Sequence, residues 1–349
     1  MELGSEYNLS LTDLTVKENN IFRYLSGYQN VYYFDSGRSA LKDVVKGFAE
    51  DDEVLLPEFI CESVTNCFEG ATIKFYKLHQ DFTIDFEDLK SKCSSCTKII
   101  FLMHYFGALQ PKEDLQKLKQ LASDRNVVII EDTTHSIFSK TSTVGDYMVC
   151  SIRKWLPIPK GGVLYYNTNK FYLNAPTYVQ SKDNERSYGM VLKDLSFTRN
   201  LDVNSVYREI FAQCEERLDQ QKDIYMLSDF SRFIASCVDI GQLQYLRKRN
   251  YGLLAQRLLH EGFTPVMQIH AEETPLVYLL RVRERNILRA YLMDYNIYSA
   301  VHWPFDGIQA ESRRFAAQNA EELISLPIDQ RYDEAHINYL ADVLAGYGR

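Results

Sequence analysis

Residues 127–135 read Val127-Val128-Ile129-Ile130-Glu131-Asp132-Thr133-Thr134-His135. A run of β-branched residues this apolar is strand material buried on both faces, and the carboxylates behind it mark the strand's carboxyl end. Similar runs precede it at Glu53 to Leu56, Thr72 to Tyr76 and Lys98 to Met103. Helix-like stretches at 61–69, 85–92 and 111–124 separate them, the second capped by Asp85 and the third opened by Pro111. Strands alternating with helices predict an α/β fold whose mostly parallel sheet is covered on both faces. Upstream, Val31 to Phe34 leads through Asp35-Ser36-Gly37-Arg38-Ser39 into a helix with Ala40, Leu41, Val44, Val45 and Phe48 apolar. Downstream, strands are expected at Tyr147 to Ile152 and Gly161 to Tyr166, around the proline-punctuated turn Lys154 to Pro159. Residues 170–245 are polar helix material, and a helix from Gly252 to Glu261 leads into the final section. There, strands are expected at Leu276 to Val282 and Tyr298 to Val301, with helices near 284–295 and 333–346. The expected division is an N-terminal segment 1–30, a large domain 31–245 and a small C-terminal α+β domain 246–349.

Composition bounds the function. The 349 residues carry 39 Lys+Arg against 47 Asp+Glu, a formal net charge of -8. With no basic excess to neutralise phosphates, a nucleic-acid partner is not expected. Hydrophobic residues at 46% and charged residues at 25% are globular values, so wholesale disorder is excluded. The opening Met1 to Leu11 lacks a basic start and apolar run, and no apolar run approaches the ~20 residues that cross a bilayer. The 7 cysteines, an odd number over a long chain, do not form a disulfide framework. A cytoplasmic protein without a membrane partner is the expectation. Cys93-Ser94-Ser95-Cys96 lacks a second Cys or His pair nearby, so no metal is expected. Arg247-Lys248-Arg249 reads as a solvated helix face.

Ligands of open α/β sheets sit at the carboxyl ends of strands. Ser36-Gly37-Arg38-Ser39 falls at such a place, where amides opening a helix receive an anion, though small polar turns open many helices. The carboxylates Glu131 and Asp132 must face a ligand or be paired, since burying a lone charge is costly; a helix cap after a buried strand fits them as well. Ser151-Ile152-Arg153-Lys154-Trp155 precedes Gly161-Gly162, and a lysine there is compatible with an ordinary surface residue.

Taken in order, these motifs resemble fold-type-I pyridoxal-phosphate enzymes, and more narrowly the DegT/DnrJ/StrS family of sugar aminotransferases. Ser36-Gly37-Arg38-Ser39-Ala40-Leu41 stands where that family has Ser-Gly-Thr-x-Ala-Leu. Asp52-Glu53-Val54-Leu55-Leu56-Pro57, Ile84-Asp85 to Leu89, His104-Tyr105-Phe106-Gly107 and Ile130-Glu131-Asp132-Thr133-Thr134-His135 follow in family order. Val301-His302-Trp303-Pro304 and Leu323 to Ile328 resemble its late His-Tyr-Pro and Leu-Ser-Leu-Pro. Coverage runs from about 30 to 345, with 170–220 unmatched.

The resemblance implies pyridoxal 5'-phosphate held by Lys154 as an internal aldimine, the freed amine then moving a proton on the substrate. It implies Asp132 at the pyridine nitrogen and His135 near the ring, the two completing the catalytic set with Lys154. The phosphate falls to the amides of Gly37, Arg38 and Ser39 with the hydroxyl of Ser151. The implied substrates are a small-molecule amino donor, glutamate first, and a keto acceptor, most naturally on a nucleotide-linked sugar. A homodimer is implied, each cofactor site completed by the partner's loop.

Three departures stand out. Cys61 occupies the position of the family's ring-stacking aromatic, with Phe59 two residues earlier. The segment from Asp146 to Lys154 is short, so that Val149 replaces the usual serine and Ser151 becomes its substitute. Ser228-Asp229-Phe230-Ser231-Arg232 stands in place of the loop whose asparagine reaches the neighbouring subunit, leaving Ser228 and Ser231 as donors. His302 and Phe59 are the substrate-side candidates. The alternatives are a sugar dehydratase, whose lysine is typically histidine in this family, a non-sugar keto or aldehyde substrate, and a non-catalytic sensor.

Overall fold

In chain order the elements are β1 (Leu3–Gly4), α1 (Ile21–Tyr24), β2 (Asn30–Phe34), α2 (Gly37–Val45), β3 (Glu53–Pro57), α3 (Glu62–Thr65), β4 (Thr72–Tyr76), α4 (Phe86–Lys92), β5 (Thr97–Met103), α5 (Lys112–Arg125) and β6 (Val128–Asp132). They continue with β7 (Tyr147–Cys150), β8 (Gly162–Tyr166), α6 (Asn184–Thr198), α7 (Asn204–Gln220), α8 (Asp229–Ser236), α9 (Ile240–Leu258), β9 (Tyr278–Arg281), α10 (Arg285–Asp294), β10 (Ile297–Tyr298), α11 (Arg314–Glu322), β11 (Leu323–Leu326) and α12 (Glu334–Ala345). The computed structural model describes residues 2–12, 14–48, 52–139, 143–167, 175–303 and 313–347, which fall into two units.

The first unit comprises Met1–Ser5, Ala49–Gly145 and Gly241–Arg349. Its sheet is parallel in the order β6-β5-β3-β4, with Met103 opposite Asp132 at the carboxyl ends of β5 and β6. The expected strands and crossovers are all present. Asp85 caps α4 by accepting from the Asp88 amide at 3.0 Å, while the stretch 61–69 splits into α3 and a 3₁₀ turn, Asn66–Phe68. Leu55, Ile100, Leu102 and Ile129 are buried with Leu115, Leu118 and Leu121 of α5 in one core. That pattern explains why the strands read as continuous apolar runs rather than alternating ones.

The C-terminal part of this unit pairs β9 with β11 antiparallel and β1 with β10 parallel. Neither β1 nor β11 was expected as a strand, because two- and four-residue strands carry too little periodicity to register. The pairing at Ile297–Tyr298 also moves the expected 298–301 strand upstream. Helix α9 begins at Ile240, twelve residues before the expected start at Gly252. A Cβ on Gly252 would meet nothing within 4 Å, so this glycine sits on an open helix face and opens no helix. Arg247 is corrected with it: the side chain is 1% exposed and donates to the Pro275 and Leu276 carbonyls and to Gln330, so it is not solvated. Among the described residues no helix is long and apolar enough to cross a membrane.

The second unit comprises Glu6–Phe48 and Asp146–Ile240. Its strands run β2-β8-β7, both pairs antiparallel. The expected 147–152 strand stops at Cys150, and a 3₁₀ turn, Ile152–Lys154, follows it. Of the expected helical stretch 170–245, residues 170–174 lie outside the described residues. Helices α6, α7, α8 and the start of α9 supply the rest, joined by non-helical segments, with α6 and α7 forming a hairpin. Gly189 of α6 lets Phe211 of α7 approach to 2.9 Å from where its Cβ would be.

Candidate active site

Each unit gathers its own part of the expected constellation. In the second unit, Ser36 caps α2, its hydroxyl accepting from the Ser39 amide at 3.1 Å. The Ser39 hydroxyl donates to Asp35 at 2.6 Å, so both polar groups of Ser39 serve the turn, leaving the amides of Gly37 and Arg38 at the helix opening for an anion. The Arg38 guanidinium is paired with Asp219 at 2.9 Å. Asp35 is buried and also accepts from Gln221 at 3.1 Å; burial pushes its carboxyl above the ordinary value.

Two glycines bring this turn to the lysine segment. A Cβ on Gly37 would stand 3.0 Å from the Cβ of Ser151 and 3.1 Å from its backbone nitrogen. A Cβ on Gly162 would stand 2.0 Å from the Ser36 carbonyl oxygen. The structure thus places Ser151, and the 3₁₀ turn carrying Lys154, directly against the opening of α2. Gly162→Ala forces backbone against backbone and is expected to cost about 1–3 kcal/mol, read as a lowered midpoint in thermal unfolding.

Ser228 and Ser231 are committed within the chain. Ser228 caps α8 by accepting from the Ser231 amide at 3.0 Å. Both hydroxyls donate to the buried carboxylate of Asp183, Ser231 at 2.6 Å. An isolated Asp in a polar stretch offered no sign of this in the sequence.

In the first unit, β6 ends in alternating carboxylates that point to opposite faces of the sheet. Glu131 is tied down: Oε1 lies 3.1 Å from His104 Nε2, and Oε2 accepts from the Val144 and Gly145 amides at 2.8 and 2.7 Å. Because His104 Nδ1 accepts from the Gln110 amide at 3.0 Å, its proton stands on Nε2 and is donated to Glu131. This pair is structural. Asp132 is 6% exposed, and its Oδ1 accepts from the Thr134 amide at 2.8 Å.

His135 is fully buried, with Nδ1 accepting from the Phe106 amide at 3.2 Å. Trp303 lies nearly parallel to its ring, 17° and 5.7 Å between centroids, while Phe106 is tilted by 33° at 5.1 Å. His302 joins the cluster edge-on to His135 at 5.7 Å and meets Ser325 Oγ through Nδ1 at 2.9 Å. Phe59 is buried against Trp303 at 5.1 Å between centroids. Cys61 is half-buried at the start of α3, its sulfur 3.1 Å from the Ser63 hydroxyl. The aromatic ring nearest His135 in a parallel attitude therefore comes from Trp303, a residue quoted in the sequence only as part of a motif. Pro304 of that motif lies outside the described residues.

Residues 18–155 match the model of the DegT/DnrJ/EryC1/StrS aminotransferase family. The chain is 22% identical over 338 residues to a dTDP-3-amino-3,6-dideoxy-alpha-D-galactopyranose transaminase of Aneurinibacillus thermoaerophilus, covering 90% of this chain and 84% of that one. It is 28% identical over 136 residues to a GDP-perosamine synthase of Escherichia coli O157:H7, 36% of each chain. Among solved structures, its fold matches a putative sugar aminotransferase of Streptococcus pneumoniae in its PLP form, with TM-score 0.66 and 16% identity over 92% of this chain and 88% of that one. A DegT DnrJ EryC1 StrS aminotransferase of Brucella abortus matches with TM-score 0.67 and 17% identity, over 94% and 88%. Residues 18–155 are thus similar to the DegT/DnrJ/EryC1/StrS aminotransferase family, and the fold is that of these solved structures.

Proposed function

We propose that the chain is a pyridoxal-phosphate-dependent aminotransferase that carries an amino group from glutamate to a keto group on a nucleotide-linked sugar. The observation that carries this reading is the contact of Gly37 with Ser151, which sets the Lys154 turn against an anion-receiving helix start. Each unit holds donors suited to one part of the cofactor. The amides of Gly37 and Arg38 with the Ser151 hydroxyl suit a phosphate, and Asp132 is a buried carboxylate suited to a ring nitrogen.

When bound, pyridoxal phosphate supplies a carbonyl for the amino donor and a ring that accepts electron density from the substrate carbon. The residues do the rest. Lys154 Nζ would hold the cofactor and, as a free amine, would move a proton at the substrate carbon. Asp132 would favour a protonated ring nitrogen by its charge. His135, whose Nδ1 accepts from the Phe106 amide, would carry its proton on Nε2.

The finer parts of the proposal are a cytoplasmic homodimer and the division 1–30, 31–245 and 246–349, with 31–245 as the cofactor-binding domain. Phe230 and Phe233 on α8 and the nearby Val179 are 38%, 45% and 70% exposed, an apolar group suited to a second copy. Light scattering is expected to give twice the chain mass, and a stable active monomer would contradict the dimer. The function is tested by borohydride reduction of the cofactor-loaded protein, peptide mapping, and turnover of glutamate with keto sugar nucleotides. Label on the Lys154 peptide and an amino sugar product are expected; label elsewhere, or none, sinks the reading.

A further inference from the structure

We propose that Glu215 is a positioning residue for the turn that carries Lys154, acting through Arg153 and Arg186. The inference rests on Lys154 as the cofactor lysine, but Glu215 and Arg186 lie beyond residue 155, outside the matched part of the chain.

The backbone holds the turn at its far end, where Trp155 and Leu156 donate to the Ile152 carbonyl at 3.0 and 3.1 Å, but less closely at Arg153 and Lys154. Lys154 donates to the Ser151 carbonyl at 3.3 Å and Arg153 to the Gly161 carbonyl at 3.4 Å, both long. Three-residue 3₁₀ turns have poor hydrogen-bond geometry in any case. The side chain of Arg153 adds an anchor outside the turn. Its two terminal nitrogens reach the two oxygens of Glu215 on α7 at 2.6 and 3.2 Å, a forked contact that fixes orientation as well as distance. Arg186 of α6 is 4% exposed and bonds the same Glu215, while its other nitrogen reaches Glu6 at 2.5 Å. From the same side, the Tyr7 hydroxyl donates to the Trp155 carbonyl at 3.2 Å.

Successive residues of a 3₁₀ turn project about a third of a revolution apart. Arg153 can therefore anchor the turn to α7 while Lys154 leaves in another direction. The clamp also balances charge, two guanidiniums against Glu215 and Glu6. Burial pushes the Glu215 carboxyl up, but the paired guanidiniums outweigh it and hold it down to about 2, so the clamp stays ionised at neutral pH. Of the other titratable groups lining the same cavity as Arg153, Glu185 is paired with Arg217 at 2.6 Å, and Asp183 accepts from Ser228 and Ser231. Asp35 accepts from Ser39 and lies 3.9 Å from Lys160, Lys182 is a cation, and burial pushes the Cys214 thiol up.

The test uses full-length protein loaded with pyridoxal phosphate. Glu215→Gln leaves a net positive charge beside Lys154, so the pH midpoint of the lysine-bound cofactor's absorbance is expected to fall by about half a unit or more. In the donor half-reaction, kcat is expected to fall about tenfold with KM little changed, the signature of a misplaced reacting group rather than lost binding. A folded Gln variant with wild-type midpoint and wild-type kcat overturns the proposal. Should that variant fail to fold, Glu215→Asp keeps the charge but shortens the reach: a lowered kcat at an unshifted midpoint supports the clamp, and wild-type kcat overturns it. Reductive labelling of the wild type separates the two claims, since label away from Lys154 removes the cofactor reading itself.

Discussion

Lys154→Ala is expected to abolish amino transfer, lowering the single-turnover rate with glutamate by about 10⁴-fold or more, because one amine both holds the cofactor and moves the proton. The fold should survive. Lys154 ends a short turn whose neighbours Ile152 and Trp155 are fully buried and whose clamp uses Arg153. The variant is therefore expected to retain pyridoxal phosphate without covalent attachment, through the amides of Gly37 and Arg38. Gel filtration followed by absorbance reads retention, and rapid mixing with glutamate reads the rate. Substantial turnover would move the role to Lys160, whose ammonium lies 3.9 Å from Asp35 in the same unit.

Asp132→Asn should separate chemistry from folding. The Asn side-chain oxygen can go on accepting from the Thr134 amide, as Asp132 Oδ1 does at 2.8 Å, so the turn after β6 keeps its hydrogen bond. The charge is lost. A neutral amide no longer stabilises a protonated ring nitrogen, and removal of such an electrostatic contact costs on the order of 10²–10³ in rate. Thermal unfolding near the wild-type midpoint with a rate down by that factor is the expected result. Near wild-type turnover with cofactor bound would contradict the role given to Asp132.

Much of the architecture was legible because strands buried on both faces must be apolar throughout. Val127 to Ile130 and Lys98 to Met103 announce themselves with no alternation to decode. Asp85 was legible as a cap because a short acceptor before a helix satisfies amides that have no partner inside it. The C-terminal part was less readable. Strands as short as Leu3–Gly4 and Ile297–Tyr298 exist only because each finds the other from the opposite end of the chain. Arg247 looked like a surface charge until the carbonyls of Pro275 and Leu276 came round to meet it.

The active-site residues divide in the same way. Composition and local order determined the parallel strands, the anion-receiving start of α2, the carboxylate ending β6 and the lysine before a glycine pair, since each is a property of a few consecutive residues. That Glu131 is taken up by structure was decided only in three dimensions. Glu131 and Asp132 are neighbours with the same functional group, yet Glu131 is consumed by His104 and two loop amides. Ser228 and Ser231 looked like donors to a partner until Asp183 took both hydroxyls, and Trp303 became the ring parallel to His135 only on folding. A hydrogen bond or ring contact between residues far apart in sequence leaves no periodic trace in either segment. Sequence therefore specified which groups are present, and tertiary packing decided which of them are already committed.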